Sequence, residues 1–257
     1  MIFYFSGTGN SYATAMQLQF RLQGELINIT DCVQKEEFQF DIEENETVGI
    51  VVPVYFGGLP SIVNDFLDHM TFDKKPSYIY GILTNGGTLF GAKRKLANKM
   101  KDSGLEAAAI WDVLMPNNYA ISFEPTHEDE AEPILEEAGE QIEQIIPLIR
   151  DKKAVPWEQP FTGTIATGFI YPMYDRARKT KKFYSNDQCV GCGICAGRCP
   201  VKAIEMVDEK PRWVKEQCVL CMSCVRCNAI QYGNKMTGKY RYRHPIYQKK
   251  KKQPDCH

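Results

Sequence analysis

The chain has 257 residues, 44% of them hydrophobic and 25% charged, and a net charge of −1. Such a composition excludes a disordered or fibrous chain, and the lack of any apolar run of about 18 residues excludes a helical membrane span. The near-zero charge conceals opposite halves: residues 1–150 carry 10 Lys and Arg against 23 Asp and Glu, whereas residues 151–257 carry 21 against 9. Two separately solvated surfaces, or complementary docking of the halves or of a partner, would each account for that split.

Met1–Phe5 reads as a strand with no charged leader or cleavage site before it, so the expectation is a cytoplasmic protein. Further strands are expected at 25–29, 47–54, 78–84 and 107–115. Between them, residues 11–22, 60–70, 89–103 and 128–150 carry apolar side chains at helical spacing, with Gly24 and Gly104 where helices would stop. This alternation predicts an α/β domain over residues 1–150, a doubly wound five-stranded parallel sheet that takes ligands at the carboxyl ends of its strands.

Three strand ends carry binding chemistry. Ser6-Gly7-Thr8-Gly9-Asn10-Ser11 lies between the first strand and the first helix, where outward amides and the helix dipole favour an anion. The glycines allow close backbone approach, and the hydroxyls of Ser6, Thr8 and Ser11 and the amide of Asn10 can donate to phosphate oxygens. The loop has no lysine for a triphosphate, and Tyr12 stands where a dinucleotide fingerprint has its third glycine, so both of those fail. The loop resembles the hydroxyl-rich phosphate loop of flavodoxins, which implies a monophosphate, with an ordinary Ser/Gly turn capping the helix as the alternative. Pro53, Tyr55, Phe56 and Gly57 follow the third strand, Thr84, Asn85, Gly86 and Gly87 the fourth, and Asn118 and Tyr119 the fifth. These loops converge at the switch point, where a planar ring would lie. Tyr55 is the first candidate to stack on such a ring and Phe56 the second, with plain core packing as the alternative.

Residues 151–182 lose the pattern at Pro156, Pro160, Gly163, Gly168 and Pro172 and read as a connector. Its aromatics Trp157, Phe161, Phe169, Tyr171 and Tyr174 are too many for a free linker, so it is expected to pack along the first domain. A separate module follows at 183–237, then a basic tail at 238–257 whose Lys249–Lys252 run reads as disordered.

Eight of the ten cysteines fall between Cys189 and Cys227. In a reducing compartment such a cluster reads as metal ligands rather than disulfides. Cys189-x-x-Cys192-x-x-Cys195-x-x-x-Cys199-Pro200 has the spacing of a bacterial ferredoxin run, and Gly191 and Gly193 let backbone amides point at the sulfurs. Zinc is the competing metal, and it needs neither this pitch nor the proline. Cys218-x-x-Cys221-x-x-Cys224-x-x-Cys227-Asn228 repeats the run imperfectly. Its fourth cysteine is displaced by one position, a turn of about 100° if helical. Either the backbone bulges to restore that ligand, or the cluster it serves is three-iron, labile or absent. Cys32 reads as a buried apolar residue and Cys256 as a tail thiol.

Together with Met115-Pro116-Asn117-Asn118-Tyr119 and the ending Ala229-Ile230-Gln231-Tyr232-Gly233, these motifs resemble the two-domain flavodoxin and bacterial-type ferredoxin fusion proteins of anaerobic bacteria. The resemblance implies a flavodoxin-like sheet of order 2-1-3-4-5 that binds FMN, followed by a small α+β ferredoxin domain with two 4Fe-4S clusters. It assigns Cys189, Cys192, Cys195 and Cys227 to one cluster, and Cys218, Cys221, Cys224 and Cys199 to the other. The implied role is low-potential electron transfer to a redox protein partner, without nucleic acid or membrane span. A second reading is an FMN-dependent reductase of a small molecule that uses the clusters as an internal wire, and a third is a redox-sensing binding module. An open flavin edge would favour the carrier and a walled pocket near Tyr55 and Tyr119 the reductase. No Ser-His-Asp set is present, and His69, His127, His244 and His257 read as surface or tail residues.

Overall fold

The computed structural model describes residues 1–157 and 161–249, so Pro160, Lys250–Lys252, Cys256 and His257 lie outside the described residues. Along the first part come β1 (Ile2–Tyr4), α1 (Asn10–Leu22), β2 (Leu26–Asn28), α2 (Ile29–Lys35), β3 (Gln39–Phe40) and β4 (Thr47–Pro53). Then follow α3 (Ser61–His69), β5 (Thr71–Phe72), β6 (Tyr78–Asn85), α4 (Ala92–Asp102), β7 (Ala109–Leu114) and α5 (Glu128–Arg150). Five strands form one sheet in the order β2-β1-β4-β6-β7, every pair parallel. With the two-residue strands β3 and β5 set aside, this is the expected 2-1-3-4-5.

Strand side chains alternate between the two faces, and both faces are covered. Phe3, Phe5, Ile50, Val52 and Leu83 point into a core closed by α2, α3 and α4 through Ile29, Phe66 and Leu96. Ile2, Val51, Tyr80 and Ile82 point the other way, against Leu18 of α1 and Ile142 and Ile146 of α5. The strand ends carrying the predicted loops all meet at one edge of this sandwich. Helix α2 was not expected: seven residues are too short to show a period, and its start is set by Asn28, whose Oδ1 accepts from the Thr30 amide at 2.9 Å.

The connector is a correction. Residues expected to be irregular form α6 (Phe161–Ala177), a 17-residue helix with Pro172 inside it. It does pack along the first domain: the Tyr171 hydroxyl donates to Leu59 O at 2.7 Å, and the Thr167 hydroxyl to Gly57 O at 3.0 Å. Tertiary contact overrides the poor helix propensity of Gly163, Gly168 and Pro172. Phe169 does not join that packing and stays 77% exposed.

The cysteine-rich half consists of β8 (Phe183–Ser185), α7 (Ile194–Gly197), β9 (Ile204–Val207), β10 (Lys210–Trp213), β11 (Ile230–Tyr232) and α8 (Pro245–Lys249). β8 pairs antiparallel with β11, and β9 with β10 across Asp208 and Glu209, both left-handed at φ 48° and 57°. The sequence repeat is a repeat of backbone too. Gly191 and Gly193 have φ 72°, and their counterparts Leu220 and Met222 have φ 55° and 59°.

The two halves share a core. Val219 and Cys221 sit in the same apolar cluster as Phe5 and Leu59, while Leu220 and Met222 join Ala120, Ile121 and Tyr174 in another. Ion pairs such as Lys93–Asp112 at 2.7 Å and Arg178–Asp175 at 3.0 Å lie within each half. Apolar contacts and hydrogen bonds join the halves, among them Tyr240 N to Glu124 Oε1 at 2.9 Å, and Glu124 also attracts Arg241 across the junction.

Candidate functional site

At the sheet edge the loops enclose a cavity of about 560 Å³. All the predicted flavin-site residues line it except Gly9 and Gly87: Ser6, Gly7, Thr8, Asn10 and Ser11 at one end, then Pro53, Tyr55, Phe56 and Gly57, Thr84, Asn85 and Gly86, and Asn118 and Tyr119.

The phosphate end presents donors. The Ser6 hydroxyl oxygen accepts from the Gly9 amide at 3.1 Å while the hydroxyl also bonds with Tyr247, and the Thr8 oxygen accepts from Asn118 Nδ2 at 2.6 Å, which leaves the Thr8 hydroxyl proton for a ligand. Ser11 and Thr84 share a 2.7 Å hydroxyl bond at the root of the loop. The first-turn amides of α1 add donors with no acceptor inside the helix. The amide of Asn10 is held by the protein instead, donating to Pro116 O at 2.9 Å and accepting from the Tyr242 hydroxyl at 3.0 Å. This end fits a phosphate ester.

The ring end is apolar and tightly turned. Tyr55 and Gly58 exchange backbone bonds of 2.9 Å around Phe56 and Gly57, both left-handed at φ 51° and 71°. Tyr55 packs edge-on against Tyr174, and burial pushes its phenol well above the usual range. Phe56 and Tyr119 face each other at 5.8 Å and 73°, and burial raises the Tyr119 phenol to about 12. Sequence reasoning missed Phe90, Phe123, Ile170, Met173 and Leu220, which complete the wall. The available signal was the pair Gly163 and Thr167, one turn apart: a Cβ on Gly163 would stand 2.7 Å from Phe90 O, and the Thr167 hydroxyl accepts from the Gly91 amide at 2.6 Å. Small residues there let α6 close over the cavity.

The thiols form two groups. Cys199, Cys218, Cys221 and Cys224 surround one hollow of about 20 Å³. Amides of Ala203 and Leu220 donate to the sulfurs of Cys199 at 3.1 Å and Cys218 at 3.4 Å. Burial pushes the Cys218 thiol up to about 11, that of Cys221 to about 12 and that of Cys224 well above its ordinary value, with the neighbouring thiols adding to the effect. Free, these groups hold their protons; a thiophilic iron centre is the partner that would draw them off. The second group is Cys189, Cys192 and Cys195, close enough that the first two act on the third, whose thiol burial raises to about 11. Cys227 lines a different cavity with Asn186, Gln188 and Arg241. Among the described residues no three His, Cys, Asp or Glu side chains close on one point as a lone metal ion requires. Buried thiols with amides aimed at their sulfurs are the donor set of an iron–sulfur cluster.

The two sites touch. Leu220, between Cys218 and Cys221, lines the sheet-edge cavity, and a Cβ on Gly7 would fall 1.9 Å from the carbonyl oxygen of Cys221. Tyr174 ties the junction, its hydroxyl donating to Val219 O at 2.8 Å and accepting from the Ser61 amide at 3.2 Å. His244 corrects its reading as a surface or tail residue. Its Cβ lies against Gly9, and burial lowers its imidazole to about 4.

Comparison with known proteins agrees with the two halves. Residues 1–117 match the flavodoxin domain family and residues 183–205 the 4Fe-4S binding domain family. The chain is 71% identical over 24 residues to pyruvate synthase subunit PorD of Methanothermobacter marburgensis, covering 9% of this chain and 30% of that protein. It is 57% identical over 28 residues to a ferredoxin of Clostridium butyricum, covering 11% of this chain and 51% of that protein. The chain thus spans about a third and about half the length of these curated relatives. Among solved structures, a flavoprotein in complex with FMN from Lactobacillus acidophilus NCFM overlaps 43% of this chain and 90% of its own, at 16% identity and a TM-score of 0.33. No helix among the described residues is long and apolar enough to cross a membrane. The chain thus joins a flavodoxin domain, matched over residues 1–117, to a 4Fe-4S binding domain, matched over residues 183–205, and FMN and 4Fe-4S clusters are the cofactors that go with them.

Proposed function

We propose that the protein passes electrons between two thiol-held 4Fe-4S clusters and FMN, and on to a redox protein partner. When bound, a cluster supplies single electrons and FMN takes one or two. The observation that carries the reading is the shared wall: one loop, residues 218–224, provides three thiols of the buried group and the Leu220 side chain of the flavin cavity. Gly7 is what permits that approach, since no side chain fits between the phosphate loop and Cys221. The exposed Cys192 puts the other thiol group at the surface, where a partner can reach it.

A second reading, an FMN-dependent reductase of a small molecule, is favoured by the enclosure of the cavity under α6. Its lining includes Phe123 and Met173, 59% and 55% exposed, an apolar mouth where a small planar acceptor could enter. The deciding experiment is anaerobic purification with flavin, iron and sulfide counts, followed by stepwise reduction. One flavin and about eight irons per chain support the full scheme, as two 4Fe-4S clusters require. Colourless protein without flavin would refute it. Reoxidation by small quinones that slows on narrowing the mouth, as in Met173→Trp, would move the choice to the reductase.

A further inference from the structure

The segment expected to be a basic tail folds back over the flavodoxin half. Lys239 Nζ anchors its start, donating to Ala120 O and Phe123 O at 2.9 Å each. The His244 amide then donates to Thr8 O at 2.9 Å, and the Tyr242 hydroxyl to Asn10 Oδ1 at 3.0 Å. Tyr247 stacks on Tyr12 at 5.6 Å and 25°, hydrogen-bonds with Ser6, and lies under the Arg198 guanidinium at 5.3 Å. Gly9, at φ 114°, leaves no room between them: a Cβ there would stand 2.7 Å from His244 Cβ.

We propose that residues 239–247 are the outer wall of the phosphate site, a strap whose Tyr242, His244 and Tyr247 are positioning residues for FMN. The proposal rests on reading the cavity as an FMN site. Its physical basis is the sorting of polar groups in the Ser6–Ser11 loop. Thr8 O and Asn10 Oδ1 are acceptors, and either one turned inward would repel a phosphate. Both are occupied from outside by donors of the strap, so neither acceptor turns towards the anion, and the Thr8 hydroxyl proton and the first-turn amides of α1 remain for it. The stack of Tyr247 on Tyr12, the third residue of α1, braces the helix turn whose N-terminal dipole faces the phosphate. Arg198 adjoins the thiol ligand Cys199, so the same strap bridges the iron–sulfur half and the phosphate loop.

The test compares full-length wild type with Tyr247→Ala, Tyr247→Phe and Tyr242→Phe, each loaded with FMN. Release is read as the rise of free-flavin fluorescence on dilution, with iron content and the ³¹P resonance of bound FMN measured alongside. Tyr247→Ala is expected to release FMN about tenfold faster, a change of about 1.4 kcal/mol. Tyr242→Phe should release several-fold faster and shift the ³¹P resonance, and Tyr247→Phe, which keeps the stack, should fall between wild type and Tyr247→Ala. Iron content should stay at the wild-type level throughout. If Tyr247→Ala does not fold, Tyr242→Phe, which removes a single oxygen, decides. Wild-type release rates and an unmoved resonance in the variants would overturn the strap while leaving the FMN reading intact. A wild-type protein that takes up no FMN would overturn both.

Discussion

Cys189-x-x-Cys192-x-x-Cys195 makes its turns on Gly191 and Gly193 and leaves Cys192 exposed, whereas Cys218-x-x-Cys221-x-x-Cys224 makes the same turns on Leu220 and Met222 and buries Cys221 to 7% exposure. Holding a Leu or Met in the left-handed region costs roughly 1–2 kcal/mol per residue, which glycine avoids. The second loop keeps its large side chains because each fills a space: Leu220 the wall of the flavin cavity, Met222 the core between the halves. Identical cysteine spacing therefore serves an outer, exposed loop and an inner loop built into the wall of the sheet-edge cavity.

The sharpest way to break this comparison is to remove one thiol from each loop. Cys221→Ser should lose half the iron and most of the flavin, while Cys192→Ser should lose as much iron and keep the flavin. Equal flavin loss in both, counted per chain after anaerobic purification, would erase the distinction. Next in size is Gly7→Ala, whose Cβ would meet the Cys221 carbonyl at 1.9 Å. Forcing the loops apart should cost about 1–3 kcal/mol by thermal or denaturant melting. Gly197→Ala on the outer side, with nothing within 4 Å, should be neutral by the same measurement. Comparable is Tyr174→Phe, which strips the hydroxyl joining Ser61 and Val219 and should lower stability by about 1–3 kcal/mol. Tyr184→Phe, 44% exposed in β8, should leave the melting curve where it was.

A further effect is one of pH. Burial holds the His244 imidazole at about 4, against an ordinary 6.5, so the folded state prefers the neutral ring. Its contribution is complete above pH 6.5 and is lost as the pH falls from there towards 4, because the unfolded chain binds the proton first. A stability profile that declines over this range in wild type and flattens in His244→Gln is the expected outcome.

Much of this molecule was legible before folding was considered. Periodicity placed α5 at the residues observed, Glu128–Arg150, and put β1, β4, β6 and β7 within two residues of their ends. The hydroxyl-rich loop and the cysteine spacing were equally plain, because a phosphate cradle and a thiolate loop are local structures whose residue types follow from chemistry within one turn of chain. Helix α6 escaped because Gly163, Gly168 and Pro172 argue against a helix until the chain lies on Gly57 and Leu59. The strap escaped because Tyr242 and Tyr247 sit among basic residues, and their partners Asn10 and Tyr12 are more than two hundred positions away. What the sequence by itself determined was which chemistry each loop can perform. Only the tertiary structure decided that the second cysteine loop and the connector helix close on one cavity at the sheet edge and that the C-terminal segment lies on the Ser6–Ser11 loop, since contacts between distant segments depend on the packing of the whole core and leave no local period to read.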